Sequence, residues 1–166
     1  MTHKRTLVIG DIHGGLKALE QVLQRAEVTT HDQLIFLGDY VDGWPDTAKL
    51  IDFLIEIDQT HDCIFLKGNH EDLFLEWYYN QKQDLIWLNN GGKSTFDIYS
   101  KLDDTIKTRH IDFFEKLKLY YLDSENRLFT HGGFSNLRGV KNEYYEGMFF
   151  WDRTLWELVL ALDPNL

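Results

Sequence analysis

Only one cysteine, Cys63, occurs in the 166 residues, so an intramolecular disulfide is excluded. No run of about eighteen apolar residues is present, and no membrane-spanning helix is expected. Positive charge is scarce: 17 Lys and Arg stand against 27 Asp and Glu, for a net charge of −10. Such a surface repels nucleic acid, so no nucleic-acid partner is expected. After the basic start Met1-Thr2-His3-Lys4-Arg5, only Thr6 to Ile9 precede Gly10, too short a run for the core of a signal peptide. With the lone cysteine, this predicts a cytoplasmic location. Internal repeats, low-complexity tracts and linkers are also missing, and residues 1–166 read as a single domain. What the chain does have is apolar material, 43% hydrophobic and 14% aromatic, enough for a packed core.

That material is organised. Thr6-Leu7-Val8-Ile9, Leu34-Ile35-Phe36-Leu37 and Cys63-Ile64-Phe65-Leu66 each read as a buried strand. Leu16, Leu19, Val22, Leu23 and Ala26 predict an amphipathic helix near 15–26. Leu50, Phe53, Leu54 and Ile57 predict a second, opening at Pro45-Asp46, and a third is expected over 71–79. The alternation predicts an α/β fold with a largely parallel sheet. Further on, 81–92 reads as a loop turning at Asn89-Asn90-Gly91-Gly92, and Ile111, Phe114 and Leu117 suggest a helix. Lys118–Leu122 and Arg127–Thr130 suggest a hairpin, and Trp151–Leu162 a final helix.

Each of the three strands stops at polar residues, and ligands of open α/β sheets bind at the carboxyl ends of strands. Asp11, His13, Asp39 and Asn69 fall there. In Gly10-Asp11-Ile12-His13-Gly14-Gly15 an extended backbone would point Asp11 and His13 the same way, as two metal ligands. The plainer reading is an N-cap at Asp11 beside an incidental histidine. In Gly38-Asp39-Tyr40-Val41-Asp42-Gly43, the two oxygens of Asp39 can each face a cation. Otherwise the segment is a polar loop with an Asp-Gly turn. Gly68-Asn69-His70-Glu71 offers an amide oxygen, or simply a turn with Glu71 in the first turn of a helix. Thr130-His131-Gly132-Gly133 offers another imidazole, or a strand end. His3, His31, His61 and His110 lie in polar stretches and read as surface residues. Gly92-Lys93-Ser94-Thr95 lacks the leading glycine of a nucleotide-binding loop, because position 87 is Trp.

In this order the four segments resemble the calcineurin-like metallophosphoesterases, over residues 10–133. Gly-Asp-Tyr-Val-Asp and Gly-Asn-His-Glu resemble the phosphoprotein phosphatase branch. Trp87, Asn90-Gly91-Gly92, Thr95 and Trp151-x-Arg153 resemble its bacterial members. The resemblance implies an αββα sandwich and two divalent metal ions, manganese first, with iron or zinc as alternatives. It implies Asp11, His13 and Asp39 on one ion, and Asp39, Asn69 and His131 on the other. It further implies His70 as general acid, Asp42 as the carboxylate that orients it, and Arg153 and Asn69 as contacts to substrate. The expected reaction is hydrolysis of phosphate monoesters, phosphoserine and phosphothreonine among them, so the partner is a phosphorylated protein or small molecule.

Two departures from the pattern matter. The family's phosphate-gripping arginine after the second Asp is replaced by Gly43 and then Trp44. Arg153 either substitutes for it or is a surface helix residue, and Trp44 either walls the substrate or packs. The family's later Gly-His segment, which completes the second ion's shell and adds strands, has no counterpart after His131. The expectation is a sandwich shortened at its C-terminus, with a weakened second site and a last helix, 155–162, that exposes apolar surface. Two alternatives to the monoesterase therefore stand: a dinucleoside polyphosphate hydrolase, and a catalytically impaired binding domain of the same fold.

Overall fold

The computed structural model describes residues 5–82 and 84–162, and His3 lies outside them. Strands β1 (Thr6–Ile9), β2 (Gln33–Phe36) and β3 (Asp62–Phe65) form a parallel sheet in that order. Each is followed by a helix: α1 (Leu16–Arg25), α2 (Thr47–Asp58) and α3 (Asn69–Asn80). Strand side chains alternate between faces, so the register places Leu7, Ile9, Leu34, Phe36, Cys63 and Phe65 together. All six join a core with Leu19, Leu50, Ile51, Leu54 and Phe74 from the helices. Leu50, Ile51 and Leu54 are fully buried, and each stabilises the fold by about 1.5–3 kcal/mol. The other face carries Val8, Ile35 and Ile64. Ile35 is fully buried but Val8 is 48% exposed, so this face is covered over β2 and left open over β1.

Helix α3 begins at Asn69, two residues before the expected start. Gly68 is its N-cap, and Glu71 at the third helical position returns to the Gly68 N–H. Asn69 and His70 thus sit on the first turn of a helix. The expected loop over 81–92 contains a short helix. Asp84 caps a short helix, α4 (Leu85–Trp87), by accepting from Ile86 N and Trp87 N. The chain then kinks at Asn90 and Gly91 and leads into α5 (Lys93–Tyr99). The turn expected at Asn-Asn-Gly-Gly is this kink, with Asn90 and Gly91 off helical angles, while capping by Asp84 and the burial of Trp87 add the short helix before it.

Helix α6 (Asp104–Phe114) corrects a second expectation. His110 is not on the surface but fully buried, with Nδ1 2.8 Å from Tyr99 Oη and Nε2 2.8 Å from Asp52 Oδ1. Its polar neighbours hid the helical period, which puts it four residues before buried Phe114. Burial outweighs the nearby Asp52 and holds its pKa below the usual histidine value.

The expected hairpin is present as β4 (Tyr120–Leu122) and β5 (Leu128–Thr130). Lys118 bridges to Leu66 at the end of β3, so the hairpin runs off that strand. The final helix is split into α7 (Met148–Trp151) and α8 (Leu155–Leu162). Asp152 causes the break, because its Oδ1 accepts from Thr154 N and Oγ1. On α8, Trp156 and Leu160 are 73% and 53% exposed. Among the described residues no helix is long and apolar enough to cross a membrane.

Candidate metal centre

Asp39 lies at the middle of the carboxyl end of the sheet, 3% exposed and in left-handed backbone conformation (φ 55°). Gly68 makes this possible, since a Cβ there would overlap the Asp39 carboxylate. The loop is held by Glu71, a residue whose position role the sequence did not reveal beyond its place in a helix turn. Glu71 is fully buried and accepts from the backbone N–H groups of Asp39 (2.8 Å), Tyr40 (2.7 Å), Val41 (3.1 Å) and Gly68 (2.9 Å). Burial and the nearby Asp39 push its carboxyl up to about 7, against the N–H groups that hold it down.

The two imidazoles flanking Asp39 share one arrangement. Nδ1 of His13 is 3.0 Å from Val41 O, and Nδ1 of His131 is 3.0 Å from Leu37 O. A carbonyl can only accept, so each Nδ1 carries a proton, and in the neutral ring each Nε2 keeps its lone pair. Those Nε2 atoms lie 3.6 and 3.5 Å from the same oxygen, Asp39 Oδ2, too far to share a proton. His131 Nε2 is also 2.9 Å from Asn69 Oδ1, which already accepts from Arg153 Nη2 at 2.9 Å. Lone pairs converging on a carboxylate and an amide oxygen repel unless a cation lies among them. Backbone carbonyls that fix the imidazole tautomer are the usual support of metal-binding histidines. The donor set therefore fits divalent metal.

Two groups of donors stand within 4.8 Å of one another: His13, Asp39 and His70, and Asp11, Asp39 and His131. Asp39 belongs to both. Asp11 and His13 do not share a group. His13 has a left-handed backbone (φ 49°), so the segment is not extended, and Asp11 groups with His131 instead. Asp11 is exposed and lies 3.9 Å from His131 Nδ1.

Beside these donors, His70 Nδ1 is 2.6 Å from Oδ2 of the fully buried Asp42. Burial disfavours the imidazolium, but Asp42 and Asp39 outweigh it and raise the His70 pKa above the ordinary value. The His70 and His13 rings meet edge to face, 4.6 Å apart. Arg153 lies in the break between α7 and α8, where its Nη1 donates to Phe150 O and Asp152 O. All eight residues singled out in the sequence thus come to one rim. Trp87 and Thr95 also reach it: Trp87 Nε1 donates to Asp42 Oδ2 at 2.7 Å, and Asp42 N donates to Thr95 Oγ1 at 2.8 Å. Trp44 stands nearby, 67% exposed, lining a hollow of about 440 Å³ with Gly14, Gly15 and Lys17.

The calcineurin-like phosphoesterase family model matches residues 4–165. The chain belongs to that family. Its members are metal-dependent hydrolases of phosphate esters. The bis(5'-nucleosyl)-tetraphosphatase PrpE of Oceanobacillus iheyensis is 26% identical over 151 residues, covering 82% of this chain and 59% of that protein. The tetraphosphatase PrpE of Anoxybacillus flavithermus is 27% identical over 141 residues, or 76% of this chain and 56% of that protein. Serine/threonine-protein phosphatase 2B catalytic subunit A2 of Saccharomyces cerevisiae is 29% identical over 130 residues, covering 77% of the chain and 19% of that protein. The chain thus spans little more than half the length of the two tetraphosphatases. Among solved structures, a candidate diadenosine tetraphosphatase superposes with a TM-score of 0.66 at 20% identity, covering 89% of this chain and 59% of that one. At that identity the likeness speaks for the fold alone.

Proposed function

We propose that the chain is a metal-dependent phosphomonoesterase whose centre is built around Asp39. The observation that carries this reading is the pair of lone-pair-bearing imidazole nitrogens, from His13 and His131, facing one oxygen of Asp39. Asp39 would serve both ions, with His13 on one and Asn69 and His131 on the other, and Asp11, expected beside His13, stands with His131. When bound, two divalent ions supply a nucleophilic water at neutral pH and offset charge on the phosphoryl oxygens. His70, protonated on Nδ1 and oriented by Asp42, gives the proton from its Nε2 to the leaving oxygen. Arg153 and the Asn69 amide grip the phosphate, taking the place of the arginine absent at Gly43. Manganese is the first choice of metal, with iron and zinc next, because mixed nitrogen and oxygen donors accept all three.

The test is p-nitrophenyl phosphate hydrolysis by the chain with added manganese, beside metal analysis of the protein. Turnover that needs metal and disappears in Asp39→Asn supports the reading. A chain that binds metal yet is inert supports the impaired binding domain instead. A second reading, hydrolysis of a dinucleoside polyphosphate, is favoured by the exposed Trp44 beside the hollow at Gly14 and Gly15, a surface on which a nucleobase can stack. Release of nucleotides from diadenosine tetraphosphate at a higher kcat/KM than for p-nitrophenyl phosphate would select it.

A further inference from the structure

Residues 84–95 form an unusual stretch for a surface connection: a three-residue helix, a kinked turn and a new helix within twelve residues. Its inward hydrogen bonds fall on Asp42 or the residue after it. Trp87 Nε1 donates to Asp42 Oδ2, Thr95 Oγ1 accepts from Asp42 N, and Gly91 O accepts from Gly43 N at 3.1 Å. Gly92 packs so closely on the indole that a Cβ there would overlap it. On its other side the indole meets Trp77, with ring centroids 5.7 Å apart. Trp87 is 1% exposed.

Asp42 needs such support. It is fully buried, its φ of 71° is strained for a non-glycine residue, and its buried Oδ1 has no hydrogen-bond partner among the described residues. Both donors, Trp87 Nε1 and His70 Nδ1, therefore fall on Oδ2. With one donor removed, the carboxylate is free to rotate about its last bond and offer either oxygen to the imidazole. With Trp87 in place it has one orientation. An indole N–H donates and does not accept, so it locks the carboxylate without competing for the catalytic proton.

We infer that Trp87 is a positioning residue: through Oδ2 of Asp42 it fixes the ring of His70 for proton donation to the leaving group. This rests on His70 being the general acid, and the segment Trp87-x-x-Asn90-Gly91-Gly92-x-x-Thr95 is the frame that delivers the indole. Supporting groups of this kind are worth about 10–100-fold.

The test compares the native chain with Trp87→Phe, which keeps an aromatic ring and loses the N–H. Two readouts separate positioning from packing. The first is nitrogen-edited NMR of the His70 Nδ1–H and the Trp87 indole N–H, which needs no turnover. In Trp87→Phe the His70 signal should shift and broaden, and in Asp42→Asn, which keeps the indole, both signals should move together. The second is turnover of the manganese-loaded chain on phenyl phosphate and on 2,4-dinitrophenyl phosphate, whose leaving group needs no acid. Trp87→Phe should lose about tenfold or more on the first and under about twofold on the second.

An unmoved His70 signal, or equal losses on both substrates, overturns the inference. If Trp87→Phe fails to fold, the Asp42→Asn spectrum decides, and an indole signal indifferent to Asp42 overturns it equally. His70→Asn distinguishes the two levels of argument. If it shows no preference for the better leaving group, the general-acid reading falls and the catalytic role of Trp87 falls with it, whatever the spectra show of the hydrogen bonds.

Discussion

Residues 6–80 and residues 118–162 hold the centre from opposite sides, and with unequal grip. The first region sets Asp39, Asp42 and Glu71 almost or wholly out of solvent, with the N–H groups of Asp39, Tyr40 and Val41 all held by Glu71. The second brings His131 and Arg153 by a three-residue strand pair and a four-residue helix, tied through Gly132 N to Phe149 O and Thr130 Oγ1 to the same carbonyl. It ends in α8 with Trp156 and Leu160 facing solvent. A ligand set on a buried scaffold is fixed by packing, whereas one on a thin layer is fixed by a few hydrogen bonds. The open face belongs to the same contrast, with Ile35 of β2 fully buried and Val8 of β1 48% exposed.

Substitutions can break or sharpen this contrast. Leu54→Ala, at a fully buried site on α2, should cost about 2–5 kcal/mol in urea unfolding. A loss no greater than that of a surface change would mean that the first region is not the stable half. His70→Asn should lower kcat about a hundredfold, or about 2.7 kcal/mol, read in steady-state phosphatase assays. Arg153→Ala, in the thinner region, should act mainly on KM for phosphomonoesters, raising it about tenfold, the scale of one charge-assisted contact. A fall in kcat alone would argue against a phosphate grip.

A smaller effect should follow pH. Asp32 accepts from Arg5 Nε and Nη2 and from Thr29 N, each at 2.8 Å, joining the start of β1 to the start of β2. The Arg5 hydrogen bonds and those of Thr29 hold its carboxyl well below the usual aspartate range. A depressed folded pKa stabilises above the unfolded value and is lost as pH falls, so this contribution should fade as the medium is taken below about pH 4. Thermal melts of Asp32→Asn should lack that part of the acid limb. Least of all should come from Leu160→Ser on α8, within about 0.5 kcal/mol of the native chain. A large loss there would show that the outer helix is packed against something.

The local signals that survived folding are those in which a short segment carries its own reason. Three apolar runs ending in Gly-Asp or Lys-Gly-Asn gave the parallel sheet and put Asp39 and Asn69 at its rim. The hairpin followed from the turn at Asp123–Arg127, where Asp123 Oδ1 accepts from Glu125 N and Arg127 N. His110 failed because burial is a property of what α6 packs against, and its neighbours in sequence are polar. In the 81–92 segment the turn at Asn-Asn-Gly-Gly held, but the short helix before it was missed, because its reason is the burial of Trp87 against distant residues.

By itself, the order of residues determined the α/β class, the family and the identities of the groups at the strand ends, because alternation and the four glycine-bounded motifs are local. Only the tertiary structure decided which groups face one another. It split Asp11 from His13, set His13 and His131 on one oxygen of Asp39, and hung Glu71 and Trp87 on loops 30 to 45 residues away in the chain. Hydrogen bonds between distant segments leave no period in a sequence; they exist only where packing brings a buried donor and a buried acceptor to the same point.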